Sequence, residues 1–219
     1  MHIAEGYLPV SHCIGWAVAS TPSITFSVRR ISKIMREHPE QKLMLAASGA
    51  FLFALTALKM PSVTGSSSHP TGTGLGVRLL GPAVMPGLSL IVLVFQAVLL
   101  AHGGLSTLGA NVFSLGIAGP AVVWLVGRGL ERLGVRWDIS WGLATALGDL
   151  ATYLVTSLQL ALAFPAATTG VAGAFLKFAG VFFVTQVPIS LGEALLTVLV
   201  LKNLRPFLQP NADAARGNA

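Results

Sequence analysis

The sequence contains few charged side chains and a single cysteine. Asp, Glu, Lys and Arg make up 10% of its 219 residues, whereas soluble domains carry about 25%. A surface in contact with water needs more charge than this, so the composition excludes an ordinary soluble domain. Cys13 is the only cysteine in the sequence, which excludes an internal disulfide and a metal cage built of thiolates.

Two further absences limit the possible functions. The sequence has no Gly-x-x-x-x-Gly-Lys-Ser/Thr phosphate-binding loop, so we expect neither ATP hydrolysis nor catalytic residues in this chain. Its first residues, Met-His-Ile-Ala-Glu-Gly-Tyr, lack the basic region that opens a signal peptide. We therefore expect the mature chain to begin at Met1 with a free amino group.

Long apolar runs are the main positive feature. Hydrophobic residues account for 53% of the chain, and a helix needs about 20 of them to cross a hydrocarbon core of roughly 30 Å. Clear candidates are residues 8–28, 43–60, 83–101, 141–164 and about 171–201. These runs predict an all-α, polytopic membrane helical bundle, with one membrane-embedded domain over residues 1–203 and a polar cytoplasmic tail over 204–219.

The stretch 104–134 admits two interpretations. As one helix it gives six crossings; as two shorter helices broken at Gly119-Pro120 it gives seven, because proline suits the first turn of a helix and disrupts its interior. We favour seven, with the N-terminus outside and the C-terminus cytoplasmic, since all three basic clusters then lie on the cytoplasmic side. The clusters are Arg29, Arg30, Lys33, Arg36 and Lys42; Arg128, Arg132 and Arg136; and Lys202, Arg205 and Arg216. The formal charge of +6 thus reflects membrane orientation, and we expect no nucleic-acid partner.

This topology separates the histidines. His69 falls on the outer side with the N-terminus, whereas His102 falls at a cytoplasmic helix end. His69 lies within 61–76, a segment composed almost entirely of turn formers and small polar residues. Because irregular backbone at membrane depth is tolerated where protein buries it, we expect this segment to fold inward between helices.

Three charged residues fall in or near the apolar runs: Asp149, Lys177 and Glu193. Charges at such positions are costly. A polar tether between helices and a role in transport explain them equally well.

The first two residues offer a metal three nitrogen ligands. The α-amine of Met1, the amide nitrogen of His2 and the imidazole of His2 can close two fused chelate rings on one ion. The amide must lose its proton, and the resulting planar nitrogen set favours ions such as Ni(II) and Cu(II). A second imidazole would complete the square, and His69 is on the same side. The dipeptide by itself is a weak signal, because most Met-His termini bind no metal.

Several motifs resemble one family of membrane proteins. They are Met-His-Ile-Ala-Glu-Gly-Tyr-Leu-Pro at the start, Ser-Ser-Ser-His-Pro-Thr-Gly-Thr-Gly-Leu-Gly at 66–76, Leu-Leu-Gly-Pro at 79–82, Ala-His-Gly-Gly-Leu-Ser-Thr-Leu-Gly-Ala-Asn at 101–111 and Ala-Leu-Gly-Asp at 146–149. Over roughly residues 1–203 the sequence is similar to the CbiM/NikM family, the cobalt- or nickel-binding S subunits of energy-coupling-factor transporters.

The resemblance implies a function, a site and partners. It implies a multi-pass protein of the bacterial inner membrane that imports Co(II) for cobalamin synthesis, with a nickel-specific subunit as the alternative. The ion, which is substrate and not cofactor, would be held by Met1, His2 and His69. The implied partners are a small membrane protein (CbiN), a transmembrane coupling protein (CbiQ) and the ATPase (CbiO).

Four polar residues are candidates for supporting this site. Ser66, Ser67 and Ser68 precede His69, and a hydroxyl there can orient a metal-bound imidazole through its other ring nitrogen; ordinary turn formation is equally compatible. Asn111 is a candidate for a hydrogen bond to a nearby loop.

Two other classes of function remain as alternatives. A membrane redox protein would use histidines as haem ligands, but it needs them to face each other within the bilayer, and none of the five lies in mid-span. A vitamin-binding subunit would need an apolar pocket with aromatic stacking and no free Met-His terminus.

Overall fold

The protein is almost entirely helical. The structure, a computed structural model, describes residues 2–208, without the side chains of Pro61 and residues 205–208. The elements in this part of the chain are α1 (Val10–Glu37), a 3-10 turn (Pro39–Gln41), α2 (Lys42–Ala57), β1 (Met60–Pro61), β2 (Ser67–Ser68), α3 (Thr73–Leu80), α4 (Met85–Leu100), α5 (Leu108–Val112), a π-helical stretch (Phe113–Ala118), α6 (Gly119–Arg132), α7 (Trp137–Ala163) and α8 (Gly170–Leu208). Helix α8 continues past residue 203, where we expected the tail to begin, and residues 209–219 lie outside the described part.

The outer surface of the bundle is apolar. Ile14 and Val184, for example, are 59% and 79% exposed, and water-soluble monomers seldom expose large apolar patches. Within residues 2–208, three segments are long and apolar enough to cross a bilayer: Leu108–Arg132, Trp137–Ala163 and Gly170–Leu204. This surface suits a protein surrounded by lipid.

The predicted break at Gly119-Pro120 is wrong. The chain is helical from Leu108 to Arg132, and the π-helical stretch leads directly into α6. Pro120 lies in the first turn of α6, where its missing N–H costs little. Single π turns occur as local insertions in longer helices, so the chain passes the proline without leaving the helical conformation.

With α5, the π stretch and α6 taken as one continuous helix, residues 2–208 form seven helices, because α3 supplies the seventh. Helix α3 begins beside α2, because Gly72, the residue that precedes α3, lies next to Leu52. It ends near Trp141 at the start of α7, since the Arg78 guanidinium lies 5.1 Å from that ring. Helix α4 runs in the opposite direction. Val84, just before its start, accepts a hydrogen bond from the Ser27 hydroxyl of α1. Gln96, in its last turns, donates one to the Phe53 carbonyl of α2.

This reversal decides where His102 lies. Because α3 and α4 run in opposite directions along the bundle, the residues after α4 lie at the same end as the N-terminal segment. The predicted placement of His102 at the opposite, cytoplasmic end is therefore wrong. An eight-residue helix that opens with Thr-Gly carries no long apolar run, so hydropathy alone missed it.

Two clusters of buried apolar side chains divide the bundle along its length. One includes Ile31, Leu45, Met85, Trp141 and Leu201. The other includes Ile3, Leu93, Leu115, Tyr153 and Phe182. The α1–α2 connection, the α6–α7 connection and the C-terminal part of α8 adjoin the first cluster, which we call the basic end. The segment before α1 inserts at the second, the N-terminal end, where Ile3 is fully buried.

We expect Gly148→Ala to lower the unfolding temperature of the detergent-solubilised protein, measured by dye-monitored thermal unfolding. A Cβ at this position would lie 2.2 Å from Val123 Cγ2 and 3.1 Å from the Gly119 carbonyl oxygen, and overpacking of this kind costs roughly 1–3 kcal/mol. Gly129→Ala is the matched control, because a Cβ there meets no atom within 4 Å. Equal temperature shifts in the two variants would contradict close packing of α6 on α7.

Candidate metal centre

Backbone pairing joins the N-terminal segment, residues 2–9, to the serine-rich loop, which is the part of the 61–76 segment before α3. Strands β1 and β2 form a short antiparallel hairpin, with Met60 opposite Ser68. Ile3 forms an antiparallel bridge with Ser66, and the Ala4 N–H donates to the Gly65 carbonyl oxygen at 2.9 Å. Backbone groups buried away from water must be paired, and this pairing brings His2 and His69 to the same place.

Helix α5 and the residue before it, Thr107, bind Ile3 from the other side. The Ile3 N–H donates to Asn111 Oδ1 at 2.8 Å, and Asn111 Nδ2 donates back to the Ile3 carbonyl oxygen at 3.1 Å. The Thr107 hydroxyl donates to the same carbonyl at 2.7 Å. The Asn111 side chain therefore binds the backbone of the N-terminal segment, at the residue next to His2.

Three imidazoles meet in the space between these segments. His2 Nδ1 lies 2.6 Å from His69 Nε2. The His102 ring stacks on the His2 ring with centroids 4.2 Å apart, and all three residues are at most 3% exposed. Candidate ligand atoms of the three lie within 4.8 Å of one another. Met1, the remaining predicted ligand, lies outside the described residues.

The three serines have different surroundings. Ser66 pairs with Ile3 through the backbone. The Ser67 hydroxyl lies 2.9 Å from His102 Nε2, and the Ser68 hydroxyl lies 2.8 Å from Thr185 Oγ1 on α8. The second ring nitrogen of His69, Nδ1, lies 2.8 Å from the Pro70 carbonyl oxygen. A backbone carbonyl of the same loop is thus in position to orient the His69 ring.

Side chains of α7 and α8 hold the backbone around His69. The Tyr153 hydroxyl accepts the His69 N–H at 2.8 Å and donates to the His69 carbonyl at 2.9 Å. Gln186 Nε2 donates to that carbonyl at 3.1 Å and to both oxygens of Asp149 at 3.0 and 2.7 Å. The backbone of His69 is therefore held in place by polar side chains of α7 and α8.

Glu193 supplies the other anchor of the loop. Its buried carboxylate accepts hydrogen bonds from the Gly72 N–H at 2.9 Å, from the Thr71 hydroxyl at 2.9 Å and from the Thr71 N–H. In this structure, Asp149 and Glu193 act as polar tethers between helices and the loop, one of the two interpretations that the sequence left open for them.

Burial keeps the three imidazoles neutral. Removal from water lowers the pKa of His2 and of His69 well below the usual value, and it lowers the pKa of His102 to about 4. His69 and His102 add to the effect on His2, because a second positive charge nearby is unfavourable. A metal requires neutral imidazole, so the centre is ready to bind a cation at neutral pH.

The spacing of the ring nitrogens fits one metal ion. Two nitrogens at right angles on an ion, each at roughly 2.0 Å, are about 2.8 Å apart, close to the 2.6 Å between His2 Nδ1 and His69 Nε2. Among residues 2–208, His2 Nε2 and His102 Nδ1 have no hydrogen-bond partner, nor does Oε1 of the neighbouring Gln96.

His102 is the residue that the sequence reasoning missed. The signal for it was the Ala-His-Gly-Gly sequence. A Cβ on Gly104 would lie 2.5 Å from Glu5 Cα, and Gly103 has φ +80°. Two consecutive glycines here allow the N-terminal segment to lie directly against the backbone after His102.

Known proteins resemble this chain over nearly its whole length. The family described as the cobalt uptake substrate-specific transmembrane region, CbiM, matches residues 2–210. The cobalt transport protein CbiM of Streptomyces coelicolor is 56% identical over 208 residues, which span 93% of this chain and 88% of that protein. The cobalt transport protein CbiM of Anoxybacillus flavithermus is 53% identical over 207 residues, spanning 94% and 83%.

Two solved structures share the fold. One is described as a truncated transition metal transporter, with a TM-score of 0.81 and 27% identity over 93% of this chain and 98% of its own. The other is described as a transition metal transporter, with a TM-score of 0.81 and 26% identity over 94% and 92%.

We expect Glu193→Gln to weaken Co(II) binding about tenfold in a calorimetric titration, since leaving buried donors badly paired costs roughly 1–3 kcal/mol. The amide would present N–H groups to the N–H groups of Thr71 and Gly72, which loosens the backbone beside His69. Glu40→Gln is the control, because the Glu40 side chain is 67% exposed at the basic end. Unchanged binding by Glu193→Gln would show that the anchor does not support the centre.

Proposed function

Because this chain belongs to the CbiM family of cobalt-uptake transmembrane proteins, we propose that it is the substrate-binding membrane subunit of an ATP-driven Co(II) importer. The relatives reported above are named cobalt transport proteins, which favours Co(II) over Ni(II) as the ion carried. The function is transport, and the chain supplies the site that captures the ion.

The observation that carries this proposal is the 2.6 Å separation of His2 Nδ1 and His69 Nε2 in a buried centre. Two neutral imidazoles held this close can share one cation. Their positions are imposed by backbone contacts on both sides, at Ile3 and at Thr71-Gly72. Such preorganisation reduces the ordering cost of binding.

In the proposed complex four nitrogens surround the ion in a plane. They are the α-amine of Met1, the deprotonated amide of His2, His2 Nδ1 and His69 Nε2. Planar nitrogen sites suit late transition metals, whereas Mg(II) and Ca(II) prefer oxygen ligands. Ser67, Ser68 and Asn111 support the set by holding His102, the loop and the N-terminal segment.

Orientation and partners follow from the same proposal. The N-terminal end faces the outside of a bacterial inner membrane and the basic end faces the cytoplasm, in keeping with the positive-inside rule. The ion enters at the N-terminal end and leaves for cobalamin synthesis inside. We assign ATP hydrolysis to a CbiO-type ATPase, and coupling to CbiQ- and CbiN-type membrane proteins.

The geometry argues against a haem protein. Two axial histidines on a haem iron lie on opposite faces of the ring, with nitrogens about 4 Å apart for iron–nitrogen bonds of roughly 2 Å. His2 and His69 are too close together to enclose a porphyrin.

We expect two residues added before Met1 to weaken Co(II) binding roughly a hundredfold or more, because the new amine is then too far along the chain to join the His2 amide and imidazole in fused rings. A single added residue would not serve, since its amine and the two following amides could form a new chelate with His2. The measurement is a titration of protein purified with a C-terminal tag, with the extended terminus verified by mass spectrometry. His69→Ala should weaken binding similarly, since it removes the fourth nitrogen. His38→Ala is the control, because His38 lies in the exposed connection between α1 and α2. Equal affinity in the extended and unextended proteins would refute the amine ligand.

We also expect binding to release about two protons per ion at pH 7 and affinity to rise with pH between 6 and 8. The imidazoles release none, because their lowered pKa values leave them neutral. The protons come from the amine, whose usual pKa is about 7.7–8.0, and from the amide. A pH indicator in weakly buffered solution measures the release. Binding without proton release would contradict coordination by the amide.

A further inference from the structure

His102 packs against both imidazoles that the proposed complex uses. Its ring lies on the His2 ring at 4.2 Å between centroids and 27° between planes, and it meets His69 edge-on at 5.3 Å and 85°. Ser67 holds Nε2 at 2.9 Å. The next residue, Gly103, has so little room that a Cβ there would lie 3.1 Å from His2 Cδ2. The position of the His102 ring is thus determined from two sides.

The stacking defines where His102 lies relative to a bound ion. The lone pair of an imidazole nitrogen lies in the plane of the ring, so an ion on His2 Nδ1 lies in the plane of that ring. The fused chelate rings keep the amine and the amide near the same plane. A ring stacked face to face on His2 therefore lies on one face of the four-nitrogen plane.

The same angle argues against His102 as a fifth ligand. With the two rings 27° from parallel, the lone pairs of His102 run alongside the ligand plane and do not point down onto the ion. Nε2 is in addition already engaged by Ser67, and Nδ1, which has no hydrogen-bond partner among residues 2–208, has its lone pair in the same ring plane. What the ring presents to the ion is its face, which offers no lone pair and excludes water.

We propose that His102 covers one axial face of the bound ion and is a specificity-determining residue of the centre. This inference rests on the proposed chelation by Met1 and His2. Covering one axial face keeps water off that face, which prevents octahedral coordination and penalises ions that need it. Zn(II) gains nothing from a plane, because it has no geometric preference from its d electrons and usually binds four ligands tetrahedrally. The cover thus favours ions that accept four nitrogens in a square.

Ni(II) alone is the probe for the test, because a planar Ni(II) complex is diamagnetic with a characteristic visible band, whereas an octahedral one with water on both axial faces is paramagnetic. His102→Ala uncovers the face. We expect the planar band to diminish, magnetic susceptibility to rise, and the preference for Ni(II) over Zn(II) to fall roughly tenfold in competition titrations. His102→Phe restores a flat ring without nitrogen, and it should recover the band and the preference. His38→Phe, at the basic end, should behave as the unaltered protein.

Two outcomes would overturn the proposal. If folded His102→Ala keeps the planar band and the metal preference, the face needs no cover. If folded His102→Phe loses them, an imidazole nitrogen is required and His102 acts as a ligand; this variant also decides the matter should the alanine variant fail to fold. An unaltered protein without a planar band, or with one that survives N-terminal extension, would count against the chelate itself. An extension-sensitive band that is indifferent to His102 would count only against the cover.

Discussion

The pairing of the N-terminal segment with the serine-rich loop is the interaction on which the rest of the centre depends. Neither segment is helical, and their residues Ile3 and Ser68 lie buried in a bundle with an apolar exterior, where an unpaired backbone group costs several kcal/mol. The bridge between Ile3 and Ser66, together with the grip of Asn111 and Thr107 on Ile3, satisfies these groups. Since such pairing has a definite register, it also determines that residue 2 meets residue 69.

Polar residues inside α7 and α8 extend this arrangement into the membrane-spanning part of the bundle. Tyr153 and Gln186 bind the backbone of His69 itself, and Glu193 binds the two residues that lead into α3. Charged and amide side chains cost free energy at such positions. Here their hydrogen bonds connect the serine-rich loop directly to helices that reach the basic end. A displacement of α8 would therefore act on the backbone next to a proposed ligand without any intermediate element.

The sequence predicted the helical bundle and the inward fold of the 61–76 segment because both depend on composition. Apolar runs of sufficient length identify helices, and a segment of turn formers around one histidine identifies a structured loop. It also brought together His2 and His69 as candidates, because chelation by a terminal Met-His dipeptide is local chemistry. Composition failed at α3 and at Pro120, since a short helix without an apolar run and a proline at a π-to-α junction are decided by what packs around them.

Local chemistry was thus determined by the sequence alone: which atoms can bind a metal, which segments are apolar and where charge accumulates. Only the tertiary structure decided which of these groups meet. His102 joined the centre because α3 and α4 reverse the chain direction. Asn111 and Glu193 became backbone anchors because α5 presents Asn111 to the N-terminal segment and α8 presents Glu193 to the residues after His69. Contacts of this kind join residues more than 100 positions apart, as Asn111 and Ile3 are. No local pattern encodes them, because they exist only once the helices have packed.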